Sequence, residues 1–95
     1  IREMGEMLNM VNTIVQSSVE TLHEINDKHV EEIKQLENAV DEKERELQQA
    51  HVDRLTRNEC TPEAGMLFSD VVSDLERVAD HATNIVLYLN ENVNL

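Results

Sequence analysis

The stretch that decides the fold is "PEAGMLFSDVVSDLERVADHATNIVLYLN", residues 62–90. Its apolar residues return in an uninterrupted step of four and three, which is the spacing of one face of an α-helix. Thr61 is a good N-terminal cap, and Pro62 fits the first helical position, where its missing N–H costs nothing. The spacing predicts a helix over about 62–91 whose core-facing residues are Ala64, Phe68, Val71, Leu75, Val78, Ala82, Ile85 and Leu89.

Two further helices precede this one. Apolar residues three and four apart predict helices over about 2–24 and about 28–57, separated by a short polar link. In that link, Asn26 suits the end of the first helix and Asp27 is predicted to cap the second. Short links make neighbouring helices antiparallel, so the chain is predicted to be all-α, an up-down-up three-helix bundle similar to a spectrin repeat.

The length, cysteine content and net charge of the chain exclude several classes of protein and partner. Residues 1–95 are enough for one domain, and because Ile1 rather than Met opens the chain, we expect a fragment of a longer protein. A lone Cys60 excludes a disulfide framework, and no apolar run has membrane-spanning length. The net charge of -12 excludes nucleic acid as a partner and favours cations, although most of these acids are expected to lie on solvated surfaces.

Acidic residues four apart occur seven times, so this spacing alone decides little. The position of each pair along the bundle decides which pairs can meet across two helices. If the second and third helices reverse direction near residue 60, Glu37 is level with residue 83 and Asp41 with about 79. Glu37 and Asp41 then oppose Glu76 and Asp80, and such crowded carboxylates have raised pKa values unless a cation lies among them.

A polar seam is predicted beside these acids. Glu37, Glu44 and His51 recur every seven residues where the second helix would be expected to carry apolar side chains. The third helix offers small or hydroxylated residues opposite them: Ser69, Ser73, Ala79 and Thr83. One alternative to a cation remains open, because Arg45 and Arg77 are within one helical turn of the acids and could neutralise them.

The candidate metal ligands all offer oxygen, and they are Glu37, Asp41, Glu76 and Asp80, with Glu44 and Asn84 as weaker candidates. Such a set favours a hard divalent or ferric cation, Mg²⁺, Mn²⁺, Ca²⁺ or Fe³⁺, over structural zinc. A di-iron oxidase needs two Glu-x-x-His pairs, and only Glu20 with His23 has that form. No phosphate-binding loop or activated nucleophile is recognisable, so we do not expect an enzyme.

Three stretches of the chain resemble one family. "DLERVADHATNI" (74–85) resembles the signature of the PhoU family, and "REMGEML" (2–8) looks like the opening of that family's first helix. Residues 57–89 are similar to the PhoU-like domain that follows the membrane part of bacterial sodium/phosphate cotransporters. The resemblance implies a three-helix unit, doubled in full-length proteins, whose acidic-x-x-x-Asp motifs bind metal clusters. In this chain those motifs correspond to Glu37 with Asp41 and Glu76 with Asp80.

The resemblance also implies a function. We expect a cytoplasmic regulatory domain of a sodium-dependent phosphate transporter, which contacts the transmembrane domain or a second PhoU-like unit and forms a homo-oligomer. On this expectation it would lie at the cytoplasmic side of the membrane. Two alternatives remain open: an acidic helical oligomerisation module whose polar seam another chain covers, or half of a soluble PhoU-type regulator of phosphate uptake.

Overall fold

The computed structural model of the protein describes residues 2–93, and the side chains of residues 2–92. It has three helices, α1 (Arg2–Thr21), α2 (Asp27–Thr56) and α3 (Pro62–Val93). Every pair of helices is in contact, and the bundle measures 54 × 18 × 15 Å. The predicted all-α three-helix bundle is confirmed. Within the described residues, none of the helices has an apolar stretch long enough to cross a membrane.

The link between α1 and α2 begins earlier than predicted. α1 ends at Thr21 rather than near residue 24, because the N–H groups of His23 and Glu24 bond to carbonyls only three residues back. The cap of α2 is Asn26, whose side chain accepts a hydrogen bond of 2.9 Å from the backbone N–H of His29. The prediction that Asp27 caps α2 is therefore wrong by one residue. Either side chain has the required oxygen, but it is Asn26 whose backbone is extended, with φ -144° and ψ 166°.

The link between α2 and α3 closes both helix ends. Asn58 adopts the left-handed conformation, with φ 57°, which stops α2. The N–H of Glu59 bonds to the carbonyl of Arg54 at 2.8 Å, so the last turn of α2 is satisfied by its own link. At the start of α3, the hydroxyl of Thr61 accepts from the N–H of Ala64 at 3.1 Å, which confirms the predicted cap.

The buried core lies between all three helices and is aliphatic. One cluster of its buried residues consists of Met7, Val11, Ile14, Val40, Leu47, Val72 and Ala79. The prediction of the buried face of α3 is partly wrong, since four residues assigned to the core are exposed: Ala64, Val71, Val78 and Ile85. A row one residue further along is buried instead: Val72, Ala79 and Val86. Both rows alternate with the same residues, namely Phe68, Leu75, Ala82 and Leu89, so helical spacing alone does not distinguish them.

A close contact joins α2 to the first turns of α3. His51 is buried, and its ring centroid lies 5.9 Å from that of Phe68. The guanidinium carbon of Arg54 lies 4.9 Å from the centroid of the same Phe68 ring, a cation–π contact. A Cβ atom at Gly65 would overlap Cε1 of His51, so only glycine leaves room for the imidazole. Gly65 thus permits α2 and α3 to approach at this level.

We expect Gly65→Ala to lower the free energy of unfolding by about 1–3 kcal/mol, because the added methyl group must displace the buried imidazole. Gly5→Ala is the matched control, since a Cβ at Gly5 would have no atom within 4 Å. In α1 that change should raise stability by about 0.5–1 kcal/mol through helix propensity. Urea unfolding followed by circular dichroism measures both values. Equal stabilisation by the two substitutions would show that His51 is not held against Gly65.

Candidate metal centre

Three carboxylates from two helices converge at one point on the α2/α3 side of the bundle. One oxygen from each of Glu37, Glu76 and Asp80 lies within 4.8 Å of the other two, and all three side chains are half-buried. Glu37 belongs to α2, whereas Glu76 and Asp80 are one turn apart on the facing surface of α3. We call these three residues the carboxylate triad. The antiparallel course of α2 and α3 is what brings them to the same level.

Two further acids adjoin the triad. When it is protonated, the carboxyl group of Glu76 can share its proton with Asp41, and the charge of Glu44 acts on Glu76 as well. Asp41 and Glu44 therefore extend the negative region along α2 without sharing the point where the triad meets. Of the four carboxylates predicted as ligands, the structure brings Glu37, Glu76 and Asp80 together and places Asp41 beside Glu76. Their role as ligands stays a prediction.

Hydrogen bonds hold two members of the triad in place. The hydroxyl of Thr83 lies 3.2 Å from Oε2 of Glu37 and 2.9 Å from the carbonyl oxygen of Ala79, and it can donate its single proton to either. Asn84 donates from Nδ2 to Oδ2 of Asp80 at 3.3 Å. The amide of Asn84 thus orients a carboxylate of the triad, in keeping with a supporting position around a ligand.

Burial and crowding raise the pKa values of these acids. The pKa of Glu37 rises from 4.5 to about 7, first because the side chain is partly desolvated and next because Asp41 is charged. The pKa of Glu76 also rises to about 7, through burial, then through its hydrogen bond with Asp41 and the charges of Glu44, Asp41 and Asp80. Burial and Asp41 raise the pKa of Glu44 as well, against the opposing effect of Arg45. Near neutral pH, the bare site is therefore only partly ionised.

Basic side chains do not neutralise the triad. Arg77 turns to Asp74, with 3.6 Å between Nη1 and Oδ1, in a pair that is largely exposed. The alternative that Arg77 neutralises Asp80 is therefore not supported, because Arg77 pairs with Asp74, three residues earlier on the same helix. Within residues 2–93, the other salt bridges are Lys43–Glu6, Arg54–Glu3 and Arg57–Glu59, none of which includes a triad carboxylate.

The polar seam continues from the triad toward the α2–α3 link. Gln48 occupies its middle, where its Oε1 accepts from the hydroxyl of Ser69 at 2.9 Å and its Nε2 donates to the carbonyl of Ser69 at 3.3 Å. Nε2 also lies 3.4 Å from the hydroxyl of Ser73. Sequence reasoning missed Gln48, although the serines opposite it gave the signal. α3 thus covers part of the seam, through its bonds to Gln48.

The donor set fits a hard cation. Three carboxylates offer six oxygens, and Mg²⁺, Mn²⁺, Ca²⁺ and Fe³⁺ prefer oxygen ligands of this kind. A bound cation would favour the ionised form of each carboxyl group and would thus lower the pKa values that burial raises. The position is partly open to solvent, so an ion held here would retain coordination positions for water or for a ligand from outside. The arrangement is chemically suited to bridging the chain to another oxygen-bearing group.

Comparison with known proteins gives two findings. The sequence pattern of the PhoU domain matches residues 4–89. The phosphate-specific transport system accessory protein PhoU homolog 1 of Thermotoga maritima is 24% identical over 98 residues, which cover 100% of this chain and 42% of that protein. The chain thus spans less than half the length of this relative. No solved structure gives a significant match.

We expect the stability of the metal-free chain to fall by several degrees in melting temperature between pH 5 and pH 8. A carboxyl group whose pKa is about 7 when folded and about 4.5 when unfolded binds its proton more tightly in the folded state. Folding is favoured while that proton is bound, and the advantage is lost as the pH rises through 7. Thermal unfolding in buffer with a chelator measures the slope.

Replacement of the two acids whose pKa values reach about 7, Glu37→Gln with Glu76→Gln, should flatten this pH dependence, because the amides do not ionise. Glu42→Gln is the matched control, since Glu42 is exposed on the same helix as Glu37. It should leave the slope unchanged. A wild-type melting temperature that rises from pH 5 to pH 8 would contradict the raised pKa values.

Proposed function

Because the chain belongs to the PhoU domain family, we propose that it is a regulatory, non-enzymatic domain that modulates phosphate transport. The family match over residues 4–89 carries this proposal. The printed name of the Thermotoga maritima relative, an accessory protein of a phosphate-specific transport system, supports it. The three-helix fold and the carboxylate triad agree with what the resemblance implies.

The comparisons bear on the context in which such a domain acts. The relative is named as an accessory protein of a phosphate-specific transport system, which favours a PhoU-type regulator that acts beside a phosphate transporter. From the resemblance, we expect it to act on the cytoplasmic side of the membrane. The other context, a domain joined to the membrane part of a sodium/phosphate cotransporter, has only the resemblance of residues 57–89 in its favour. The partner in either case would be the transmembrane part of a phosphate transporter or a second PhoU-like unit.

The proposed mechanism depends on a cation at the carboxylate triad. With a net charge of -12, the chain repels phosphate and any acidic partner surface. A divalent or ferric ion held by Glu37, Glu76 and Asp80 would offset part of the local negative charge and present open coordination positions. Asp41 and Glu44 would adjoin the ion along α2, and Asn84 would orient Asp80. Contact with the transporter would thereby depend on metal loading.

Metal binding tests the site. We expect isothermal titration with Mg²⁺, Mn²⁺ and Ca²⁺, and metal analysis after loading with Fe³⁺, to show at least one hard cation bound. The variant Glu76→Gln with Asp80→Asn should weaken that binding by about tenfold or more, since two ligands lose their charge. The control is Asp70→Asn with Asp74→Asn, a pair with the same spacing on the same helix but exposed to solvent. Equal cation affinities of the two variants would contradict a metal site at the carboxylate triad.

Phosphate uptake tests the function. Deletion of the gene in the source organism should raise the uptake of radiolabelled phosphate, because the resemblance implies a negative regulator. The wild-type gene and the Asp70/Asp74 control variant should restore normal uptake, whereas the Glu76/Asp80 variant should not. Unchanged uptake after deletion would contradict the proposed regulation of phosphate transport.

A further inference from the structure

A cavity of about 410 Å³ lies at the end of the bundle where the chain passes from α2 to α3. Its lining comes from all three helices and from the α2–α3 link, and includes Glu3, His51, Arg54, Cys60, Gly65 and Phe68. We call it the link cavity. His51 follows Glu37 by 14 residues on α2, a distance of about 21 Å along the helix. The link cavity is therefore separate from the carboxylate triad.

One wall of the link cavity is a buried imidazole. Only 9% of the surface of His51 is exposed, yet neither of its ring nitrogens forms a hydrogen bond with any residue of the described part of the chain. Its neighbours are the ring of Phe68, with 5.9 Å between the centroids, and Gly65, which leaves no room for a methyl group beside Cε1. Buried polar atoms are nearly always hydrogen-bonded. A ligand in the cavity would supply the partner that the helices do not.

Arg54 brings a positive charge to the same cavity. Its guanidinium carbon lies 4.9 Å from the centroid of the Phe68 ring, which holds the group at the wall. Glu3 is its one acidic partner within residues 2–92, with 3.5 Å between Nη1 and Oε1. Strong hydrogen bonds between a guanidinium and a carboxylate are shorter, about 2.7–2.9 Å, and a guanidinium has several N–H donors. Most of the donors of Arg54 are thus available to a ligand.

The base that follows on α2 has a different environment. Arg57 is exposed and pairs through Nε with Oε1 of Glu59 at 3.1 Å. It does not line the link cavity. Of these two arginines, Arg54 is the one that combines partial burial with a long and therefore weak ion pair.

The chemistry of the lining selects the class of ligand. Unused N–H donors around a positive charge match the oxygens of a carboxylate or a phosphate, which arginine binds in pairs. A metal ion fits less well: in the part of the chain that the structure describes, the triad is the group of three or more His, Cys, Asp or Glu side chains whose ligand atoms converge. Glu3, His51 and Cys60 do not converge in this way.

We propose that the link cavity binds a small organic anion, whose carboxylate or phosphate group lies between Arg54 and His51. The volume of about 410 Å³ falls in the range of cavities that hold small organic molecules, about 300–1,000 Å³, and exceeds the needs of a single oxyanion. The apolar part of the ligand packs against Phe68. Its oxyanion replaces the carboxylate of Glu3 as the partner of Arg54. The inference does not depend on the proposed function, because neither the triad nor a transporter enters it.

The experiment uses the 95-residue chain with phenyl phosphate, benzoate and inorganic phosphate as probes, in buffer freed of metal ions by a chelating resin. Cys60 is the single cysteine and lines the cavity, so a bound probe should slow its alkylation by N-ethylmaleimide. We expect saturable protection by phenyl phosphate or benzoate, and the one that binds more tightly identifies the oxyanion. Inorganic phosphate should bind about tenfold more weakly or worse, because it leaves the apolar wall uncovered. Isothermal titration checks the affinities.

Three variants locate the binding. Arg54→Gln should weaken the binding of the tighter organic anion by about tenfold or more, because a charged hydrogen-bond donor is lost. Arg57→Gln is the matched control and should leave the affinity unchanged, since it removes the same charge outside the cavity. Glu3→Gln should strengthen binding by about two- to fivefold, because the competing carboxylate is gone. Circular dichroism checks that each variant remains helical.

Two results would overturn the proposal. One is that neither organic anion, at millimolar concentrations, protects Cys60 or gives a heat of binding. The other is that the Arg54 and Arg57 variants bind the organic anion with equal affinity, since the binding would then reflect a general attraction to bases. Equal affinities for inorganic phosphate and the organic anions would contradict the contact with Phe68.

Discussion

The constraint on which the structure depends is the meeting of carboxylates across two antiparallel helices without a base between them. Partial burial of Glu37 and Glu76 removes water that would otherwise stabilise their charges, and Asp41 and Asp80 add repulsion. Two events relieve this repulsion, the uptake of protons or the uptake of a cation. Because the pKa values reach about 7, a cation bound here would compete with protons for the same oxygens near neutral pH. The proposed metal site would thereby respond to both metal supply and pH.

α3 meets different requirements on its different sides. Val72, Ala79 and Val86 fill the core, while Glu76 and Asp80 face α2. Val71, Val78 and Ile85 form the exposed row beside α1. Since seven residues make nearly two full turns of a helix, each row stays on its own side along the length of α3. A single helix in this way fills part of the core, supplies two carboxylates of the triad and leaves one apolar row exposed.

Most of the fold could be predicted because its signals are local. The Thr61 cap with Pro62 fixes the start of α3, and apolar spacing fixes the three helices. The level of the acids followed from the position of the α2–α3 link, which put Glu37 opposite residue 83, and the observed contact between Glu37 and Thr83 at 3.2 Å agrees. The convergence of Glu37, Glu76 and Asp80 could thus be predicted from the sequence.

The rotation of α3 about its axis could not be predicted. Val71 and Val72 are adjacent and equally apolar, and both belong to seven-residue rows, so only packing against α1 and α2 decides which one is buried. The salt-bridge partner of Arg77 could not be predicted either, because Asp74 and Asp80 are both within one turn of it on the helix. Such outcomes depend on tertiary contacts rather than on local spacing.

The central claim is that Glu37 and Glu76 are held together against their charge, and titration of their side-chain carboxyl carbons by carbon-13 NMR tests it most directly. In a chelator, the account predicts that both groups titrate with a pKa near 7. An excess of Mg²⁺ or Ca²⁺ should shift both titrations to lower pH, because the cation favours the ionised form. Two ordinary titrations near pH 4.5 that no cation alters would contradict the account.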